Sequence, residues 1–391
     1  MSALFRSWLG GRIAAEWLIK MKKRRTKHIL IWSGITLAVL MAAAVVAVSV
    51  MFGTFITAAN SVEKLEDGLY AMEFVGDYGF DDFLVQGGAA SDSGVADYLV
   101  SFLSHGFYRP DSSVQTGGFG CSTIYTQDAD GVYYFGRNYD WSECRAMIVH
   151  TKPENGYESV STCCLDFLGF GDDYVPDGSM MERIEGIAAI YVPLDGMNSR
   201  GLVVADLTVG DEEETHQQTG KPDLTTTTAI RLLLDRAASV DEAIALLKQY
   251  DMNSSIGISH HLSIADADGK SVVVEYVNGE MLVTETKIVT NHYLSDCEKQ
   301  GVGSNQSHQR YDTLAAYNAP AGAPEVRGLL ESVSQKNYPE SEDGYEKTMW
   351  SIVYCPEGRC ADFYFKENYT HSYILTLSDK GGFLVRNDED K

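Results

Sequence analysis

The chain has 391 residues, is 45% apolar and 11% aromatic, and carries a net charge of −24. This length holds one large domain or two ordinary ones, with ample material for a core, and the composition argues against disorder. So acidic a body repels phosphate backbones, which argues against nucleic acid as a partner.

The charge is unevenly spread. Residues 1–27 hold eight Lys/Arg against Glu16 alone, which leaves −31 on the remainder. Residues 29–56 then run without a charged side chain, rich in Ala, Val, Leu and Ile. That exceeds the ~20 residues a helix needs to cross a bilayer. The basic cluster Lys20–Lys27 precedes it, so the positive-inside rule predicts a cytoplasmic segment 1–28, an anchor over 29–56 and an extracellular body. The rival is a cleavable signal peptide ending near Ala59, with secretion as its result. The apolar run is about twice a normal signal core, which favours the anchor.

Past the anchor, Leu69–Val75 reads as a strand and 76–79 as a turn. Ser93 is placed to cap a helix with Val95, Leu99, Phe102 and Leu103 on its apolar face. Residues 110–120 are turn-rich and end at Cys121. There Ile124, Tyr125 and Thr126 open a strand, Asp128–Gly131 reads as a turn, and Val132–Phe135 as the return strand. Antiparallel pairing then brings Arg137 to Asp140 back beside Cys121. Taken alone, a cysteine in that setting is an ordinary buried one.

Farther on, Ile187–Val192 reads as a strand, Asp195–Asn198 as a turn and Gly201–Ala205 as extended chain. Acidic 211–220 reads as a surface loop. Thr225–Ala238 has helical spacing, and Ser239-Val-Asp-Glu242 is a capping box opening a second helix to Tyr250. Hairpins follow: His261–Ala265 with Ser271–Val277, then Asn278-Gly279 as a tight turn into Met281–Thr284, then Ile288–Asn291. Residues 305–335 read as helical, and Trp350–Tyr354, Phe363–Phe365 and Tyr373–Leu377 as closing strands. With connections too short for βαβ crossovers, an α+β domain with packed antiparallel sheets is expected. The seven cysteines permit disulfides in an exported chain without requiring them. Cys355 and Cys360 flank a hairpin tip and are placed to close a small ring, whereas Cys163 and Cys164 read as strand residues. Zinc is disfavoured because no second Cys pair or His pair has metal spacing.

A cut between Gly120 and Cys121 would give Cys121 a free α-amine, whose pKa of roughly 7.7–8.0 suits a general base. It takes the thiol's proton without any histidine, as in terminal-threonine enzymes. Arg137 would favour the thiolate, and a neighbouring Asp would orient the amine. A conventional Cys–His pair is the competing mechanism, with His105, His150 and His292 as candidates.

Five motifs stand in one order: Gly120-Cys121; Gly136-Arg137-Asn-Tyr-Asp140-Trp141; Asp195-Gly-Met-Asn198 followed by Gly201-Leu202; Thr290-Asn291-His292; and Ser307 with Arg310-Tyr311. In this the chain resembles the choloylglycine hydrolase and penicillin V acylase family of N-terminal-nucleophile hydrolases, related to acid amidases and the isopenicillin N acyltransferase. The likeness covers about residues 119–380. It implies a four-layer αββα sandwich over 121–391, behind a pro-segment 57–120. It also implies hydrolysis of linear, non-peptide C–N amide bonds, with no cofactor and no metal. By the resemblance Cys121 is the nucleophile, Asp140 holds its amine, Arg137 sits by the thiol, Asn291 serves the oxyanion or the substrate, and Arg310 supports the site charge. Thr208 stands where bile-salt hydrolases of the family have an oxyanion Asn, so bile-salt specificity is not implied. Asn198 is a weaker candidate that shapes its own turn, and Trp141 is left as a core residue. The implied partner is a small acyl-amide substrate, with the membrane through one helix; the sequence leaves the oligomeric state open. An acyltransferase of the same fold and a silent tethered binding module are the alternatives.

Overall fold

The computed structural model describes residues 52–104, 120–142, 144–209, 213–337, 347–377 and 383–387, with isolated positions before 52. The expected segment 1–28, most of the expected span 29–56, the loop 105–119 and His105 lie outside the described residues. Among the described residues no helix is long and apolar enough to cross a membrane. Residues Phe55–Lys391 form one compact unit, and the account below concerns that unit.

After helix α1 (52–61) come β1 (Glu63–Glu66), β2 (Leu69–Val75), α2 (Phe80–Val85) and α3 (Asp92–Ser104). Then follow β3 (Gly120–Gln127), β4 (Tyr133–Trp141), β5 (Ala146–Lys152), β6 (Ser159–Cys164), α4 (Met180–Glu185), β7 (Asp195–Asn198) and β8 (Val203–Thr208). The middle of the chain gives β9 (Asp223–Thr225), α5 (Thr226–Arg236), α6 (Val240–Leu247), β10 (Asp251–Asn253), β11 (His260–Ala265), β12 (Ser271–Val277), β13 (Glu280–Glu285) and β14 (Ile288–Thr290). Helices α7 (Asn305–Ala315) and α8 (Ala323–Ser332) precede β15 (Lys347–Cys355), β16 (Cys360–Phe365), β17 (Ser372–Thr376) and β18 (Leu384–Asn387).

Among the described residues the strands form two large sheets. One has the order β1-β2-β5-β6-β7-β8-β11-β12-β13 and the other β14-β3-β4-β15-β16-β17-β18, with β9 and β10 as a separate parallel pair. Their alternating side chains define the layers. Ala146, Ile148, Val203, Ala205, Leu207 and Val273 of the first sheet pack against Tyr125, Phe135, Tyr139, Trp350 and Phe363 of the second. The first sheet's other face (Met72, Met147, Val149, Val204, Ile264, Val274) packs on Ile230, Leu233 and Leu234 of α5 and Val95 and Leu99 of α3. The second sheet's other face (Ile124, Val353, Tyr364) packs on Leu314 of α7 and Val326 and Leu330 of α8. The layers therefore run helix, sheet, sheet, helix, in a mixed α+β architecture.

Local chemistry explains most of the elements. Thr225 and Ser239 cap α5 and α6, each accepting the amide three residues on. Four expectations are corrected. Residues 187–192 lie in a 3₁₀ stretch (Gly186–Tyr191), not a strand, with Ile187, Ala189, Ile190 and Tyr191 all buried; a short apolar run has no decisive periodicity. Asp195–Asn198 is strand β7 rather than a turn. Residues 305–335 are two helices, separated by a loop holding Pro320. The sheets are not wholly antiparallel: β2 pairs parallel with β5 in full register from Leu69↔Ala146 to Val75↔Lys152. Between them the chain passes through α2, α3 and the β3–β4 hairpin of the other sheet, a long crossover that a count of neighbouring connections overlooks.

Candidate active site

The β3–β4 hairpin is built as its sequence suggests. Asp128 Oδ1 accepts the amides of Asp130 and Val132, each at 2.9 Å, and Gly131 takes φ 91°, a conformation that favours glycine. The register then sets Gly120 opposite Asp140, Cys121 opposite Tyr139 and Thr123 opposite Arg137. Gly136 is required here for another reason, since a Cβ would come within 2.6 Å of Val326 and hold α8 off the hairpin.

Strand alternation sorts the functional groups onto two faces. Cys121, Tyr125, Tyr139 and Trp141 enter the layer between the sheets, while Ile124 enters the layer beneath α7 and α8. On the helix side, Asn138 Nδ2 donates to Leu330 O of α8 at 2.8 Å, and Asp140 Oδ1 accepts Thr348 Oγ1 at 2.6 Å.

Arg310, on α7 and 1% exposed, ties this side together. Its Nη1 donates to Cys121 O (2.6 Å), Ser122 Oγ (3.0 Å) and Asp140 Oδ2 (3.2 Å), and its Nη2 donates to Asn291 Oδ1 (2.8 Å). Asn291 Oδ1 also accepts the Cys121 amide at 2.6 Å, while its Nδ2 donates to Thr208 O (2.7 Å) and Thr208 Oγ1 (3.3 Å). Asn291 and Arg310 thus both end on the backbone of Cys121. Burial pushes the Asp140 carboxyl up to about 6, against the pull of Arg310 and Thr348.

On the other face, Arg137 is fully buried. Its Nε pairs with Asp195 Oδ2 at 2.9 Å, and its Nη2 donates to Asp206 O at 2.8 Å. Asp195 also accepts Trp350 Nε1 at 2.9 Å and Tyr354 OH at 2.8 Å. Burial raises the Cys121 thiol to about 12; the Arg137 charge opposes this without overcoming it.

The structure therefore brings Cys121, Arg137, Asp140, Asn291, Arg310 and Thr208 together. The amide nitrogen of Cys121 is held by Asn291, and Asp140 joins it through Arg310. Asn198 stands apart in its bonding: Nδ2 donates to Leu234 O (3.0 Å) and Ala237 O (2.7 Å), and Oδ1 accepts the amides of Arg200 and Leu202. It fastens its turn to the end of α5. Trp141 packs in the core against Phe167. The two described rival histidines are engaged elsewhere. His150 lies between Glu73 (3.1 Å) and Glu158 (2.8 Å). His292 Nδ1 contacts Ser307 Oγ at 2.9 Å, and burial with the nearby His308 holds the ring down at about 4.

No local pattern marks Thr348 or Ser122 as partners of the charged groups. Asp195 stood inside a noted motif but read as a turn residue; only its place in a buried strand reveals its role. Cys355 and Cys360 face each other across β15 and β16 as free thiols, and their mutual hydrogen bond holds Cys355 down at about 6. Among the described residues no group of three His, Cys, Asp or Glu is arranged to hold a metal.

Comparison with known proteins agrees with the class the motifs and the site suggest. Residues 186–369 match the family described as acyl-coenzyme A:6-aminopenicillanic acid acyl-transferase. Over 111 residues the chain is 30% identical to the penicillin V acylase of Pectobacterium atrosepticum, a match covering 25% of this chain and 29% of that protein. The chain thus matches less than a third of that relative's length. Among solved structures, a mutant conjugated bile acid hydrolase from Clostridium perfringens aligns at 17% identity and TM-score 0.48, over 69% of this chain and 97% of that one. The penicillin V acylase of Agrobacterium tumefaciens aligns at 17% identity and TM-score 0.45, over 67% and 89%. The chain resembles the choloylglycine hydrolase and penicillin V acylase family.

Proposed function

We propose that this chain is a cysteine-nucleophile amidase of the N-terminal-nucleophile hydrolase type, acting on linear, non-peptide C–N bonds of small acyl-amides. The observation that carries the proposal is the convergence of Asn291 and Arg310 on the backbone of Cys121. Two buried polar side chains spent on one backbone position suit a residue whose own nitrogen takes part in the chemistry. The 30% identity to a penicillin V acylase supports the substrate class.

In this proposal the bond between Gly120 and Cys121 is cut by the chain itself. The freed amine accepts the thiol proton, the thiolate attacks the acyl carbonyl, the protonated amine gives its proton to the substrate's leaving nitrogen as the C–N bond breaks, and water then hydrolyses the thioester to free acid and thiol. Asn291 Nδ2 is the oxyanion donor in this scheme, with Thr208 beside it. Residues 57–104 remain bound after the cut, because β1 and β2 complete the sheet that holds β5. Residues 29–56 anchor the chain, with the acidic body outside. N-terminal sequencing of the mature protein, joined to a panel of N-acyl amino acids, N-acyl ethanolamines, acyl-homoserine lactones and penicillin V-like amides, tests the proposal. A folded chain that stays whole and is fully active refutes the cut. Unchanged hydrolysis by Cys121→Ala refutes the nucleophile.

The match of residues 186–369 to an acyl-transferase family favours a second reading, in which an amine or thiol rather than water accepts the acyl group. Product partitioning with an added amine acceptor separates the two.

A further inference from the structure

Self-cleavage before Cys121, on which this inference rests, meets a chemical difficulty. The amine that serves as base does not exist until the bond is broken, and burial holds the thiol up at about 12. The uncut chain needs another group to take the thiol proton.

The face of β3 on which the thiol lies narrows the choice. Asp140 and Arg310 meet on the helix side of the sheet, whereas the thiol enters the layer between the sheets. In that layer Arg137 is a cation spent on Asp195. The Tyr139 phenol, opposite Cys121, is pushed well above its ordinary value by burial and keeps its proton. Asp195 already accepts Arg137, Trp350 and Tyr354. Asn291 carries a neutral amide, which is no base, and its Oδ1 already accepts from the Cys121 amide and Arg310.

One group remains. His261 lies on β11 beside Leu207 of β8, and both it and Glu275 of β12 are fully buried. Its Nδ1 is 3.0 Å from Glu275 Oε1, and its Nε2 has no partner. Burial alone would raise the Glu275 carboxyl, but His261 and the Ser295 and Leu294 amides outweigh it and hold the group down at about 2. An ionised Glu275 that accepts the Nδ1 proton leaves the lone pair on Nε2. Two contacts between the stacked sheets give the register of β3 over β11. Tyr125 OH donates to Asp266 O at 2.6 Å, and Thr123 Oγ1 donates to Ser263 Oγ at 3.0 Å. From the Thr123–Ser263 contact, two residues back along β3 and two back along β11 lead to Cys121 and His261, so the register would set the thiol over the imidazole across the layer.

We propose that His261, oriented by Glu275, is the base that starts the cut before Cys121. His261 Nε2 takes the proton from Cys121 Sγ, directly after a turn of the thiol or through one water. Sγ bonds to the Gly120 carbonyl carbon, the C–N bond to Cys121 breaks, and that nitrogen takes the proton back from His261. Water then hydrolyses the resulting thioester to the Gly120 carboxylate and the thiol. After the cut the new amine takes over as base, and His261 is no longer required for turnover.

The test is processing of freshly translated full-length chains, followed by mass spectrometry, for wild type, His261→Gln, His261→Ala and Cys121→Ala. His261→Gln and His261→Ala should slow the cut at least ~100-fold. Added imidazole should restore it in His261→Ala, a rescue that a merely structural histidine would not give. Folding is checked by thermal melting, and His261→Gln, which keeps a hydrogen-bonding group toward Glu275, stands in if His261→Ala fails to fold. A folded His261→Gln that cuts within threefold of wild type overturns the base while leaving self-cleavage intact. A folded wild type that never cuts refutes self-cleavage, and this proposal with it.

Discussion

Replacing Arg310 by Met is the most informative single perturbation, because one buried side chain holds four acceptors. Its guanidinium donates to Cys121 O, Ser122 Oγ, Asp140 Oδ2 and Asn291 Oδ1 at 2.6 to 3.2 Å. Methionine fills much of the volume but leaves the Asp140 carboxylate without its cation. Breaking a buried ion pair by removing one partner costs about 3–5 kcal/mol. The cost should depend on pH in a definite direction. Asp140 already sits at about 6, above its ordinary value, because burial outweighs Arg310 and Thr348. A carboxyl raised in the folded state makes its full contribution below its unfolded value and loses it as pH rises through the folded value. Without Arg310 that value climbs further, so the deficit of Arg310→Met should be largest above pH ~7 and shrink toward pH ~4. The measurement is urea denaturation of Arg310→Met in a Cys121→Ala background, so that every chain has the same covalent state. Adding Asp140→Asn should recover part of the loss at neutral pH. A deficit below about 1 kcal/mol at neutral pH, or one that does not shrink on acidification, refutes the buried-pair account.

Asn198→Ala should lower stability by about 2–3 kcal/mol, since it removes two hydrogen bonds to the end of α5 and two within its own turn, while turnover per folded molecule stays within about twofold; melting and active-site titration check both halves. Thr208→Ala should reduce turnover by less than about tenfold, because Asn291 leans chiefly on the Thr208 carbonyl at 2.7 Å rather than the hydroxyl at 3.3 Å. A loss of a hundredfold would make the hydroxyl itself an oxyanion donor. His292 is held down at about 4 by burial, so its contribution is present above its ordinary value and is lost as pH falls from about 6.5 toward 4. That loss reaches at most about 3 kcal/mol, and His292→Gln should flatten the decline of melting temperature across this window. An unchanged slope would assign acid sensitivity to other groups.

The hairpin around Cys121 was legible because its signals are local: an Asp-x-x-Gly turn between two apolar runs sets the register by itself. The caps of α5 and α6 were legible for the same reason. The parallel pairing of β2 with β5 was not, since it joins strands separated by a hairpin of the other sheet, and no local pattern encodes that. Asp195 shows the limit at the site. Asp-Gly is an ordinary turn signal, and only tertiary packing against Trp350, Tyr354 and Arg137 makes it a buried strand residue. The chain has nine histidines, and no local pattern tells which of them meets the thiol; the empty Nε2 of His261 becomes visible only once the strands are stacked.

The state of the thiol is what connects these features. Burial holds the Cys121 thiol up at about 12, so at neutral pH it keeps its proton. Arg137 does not change this, because its charge is already shared with Asp195 and it can only moderate the cost of burial. The nucleophile therefore depends on a base that accepts its proton at the moment of attack. Before the cut, in the proposal above, His261 is the described group that takes that task. After it the amine of Cys121, with a pKa of roughly 7.7–8.0, is nearer and well matched to neutral pH. One buried cysteine would thus use two bases in succession, the first spent once per chain and the second once per turnover. The two should separate experimentally: the pH profile of processing should change with His261, and the pH profile of hydrolysis by the processed enzyme should not.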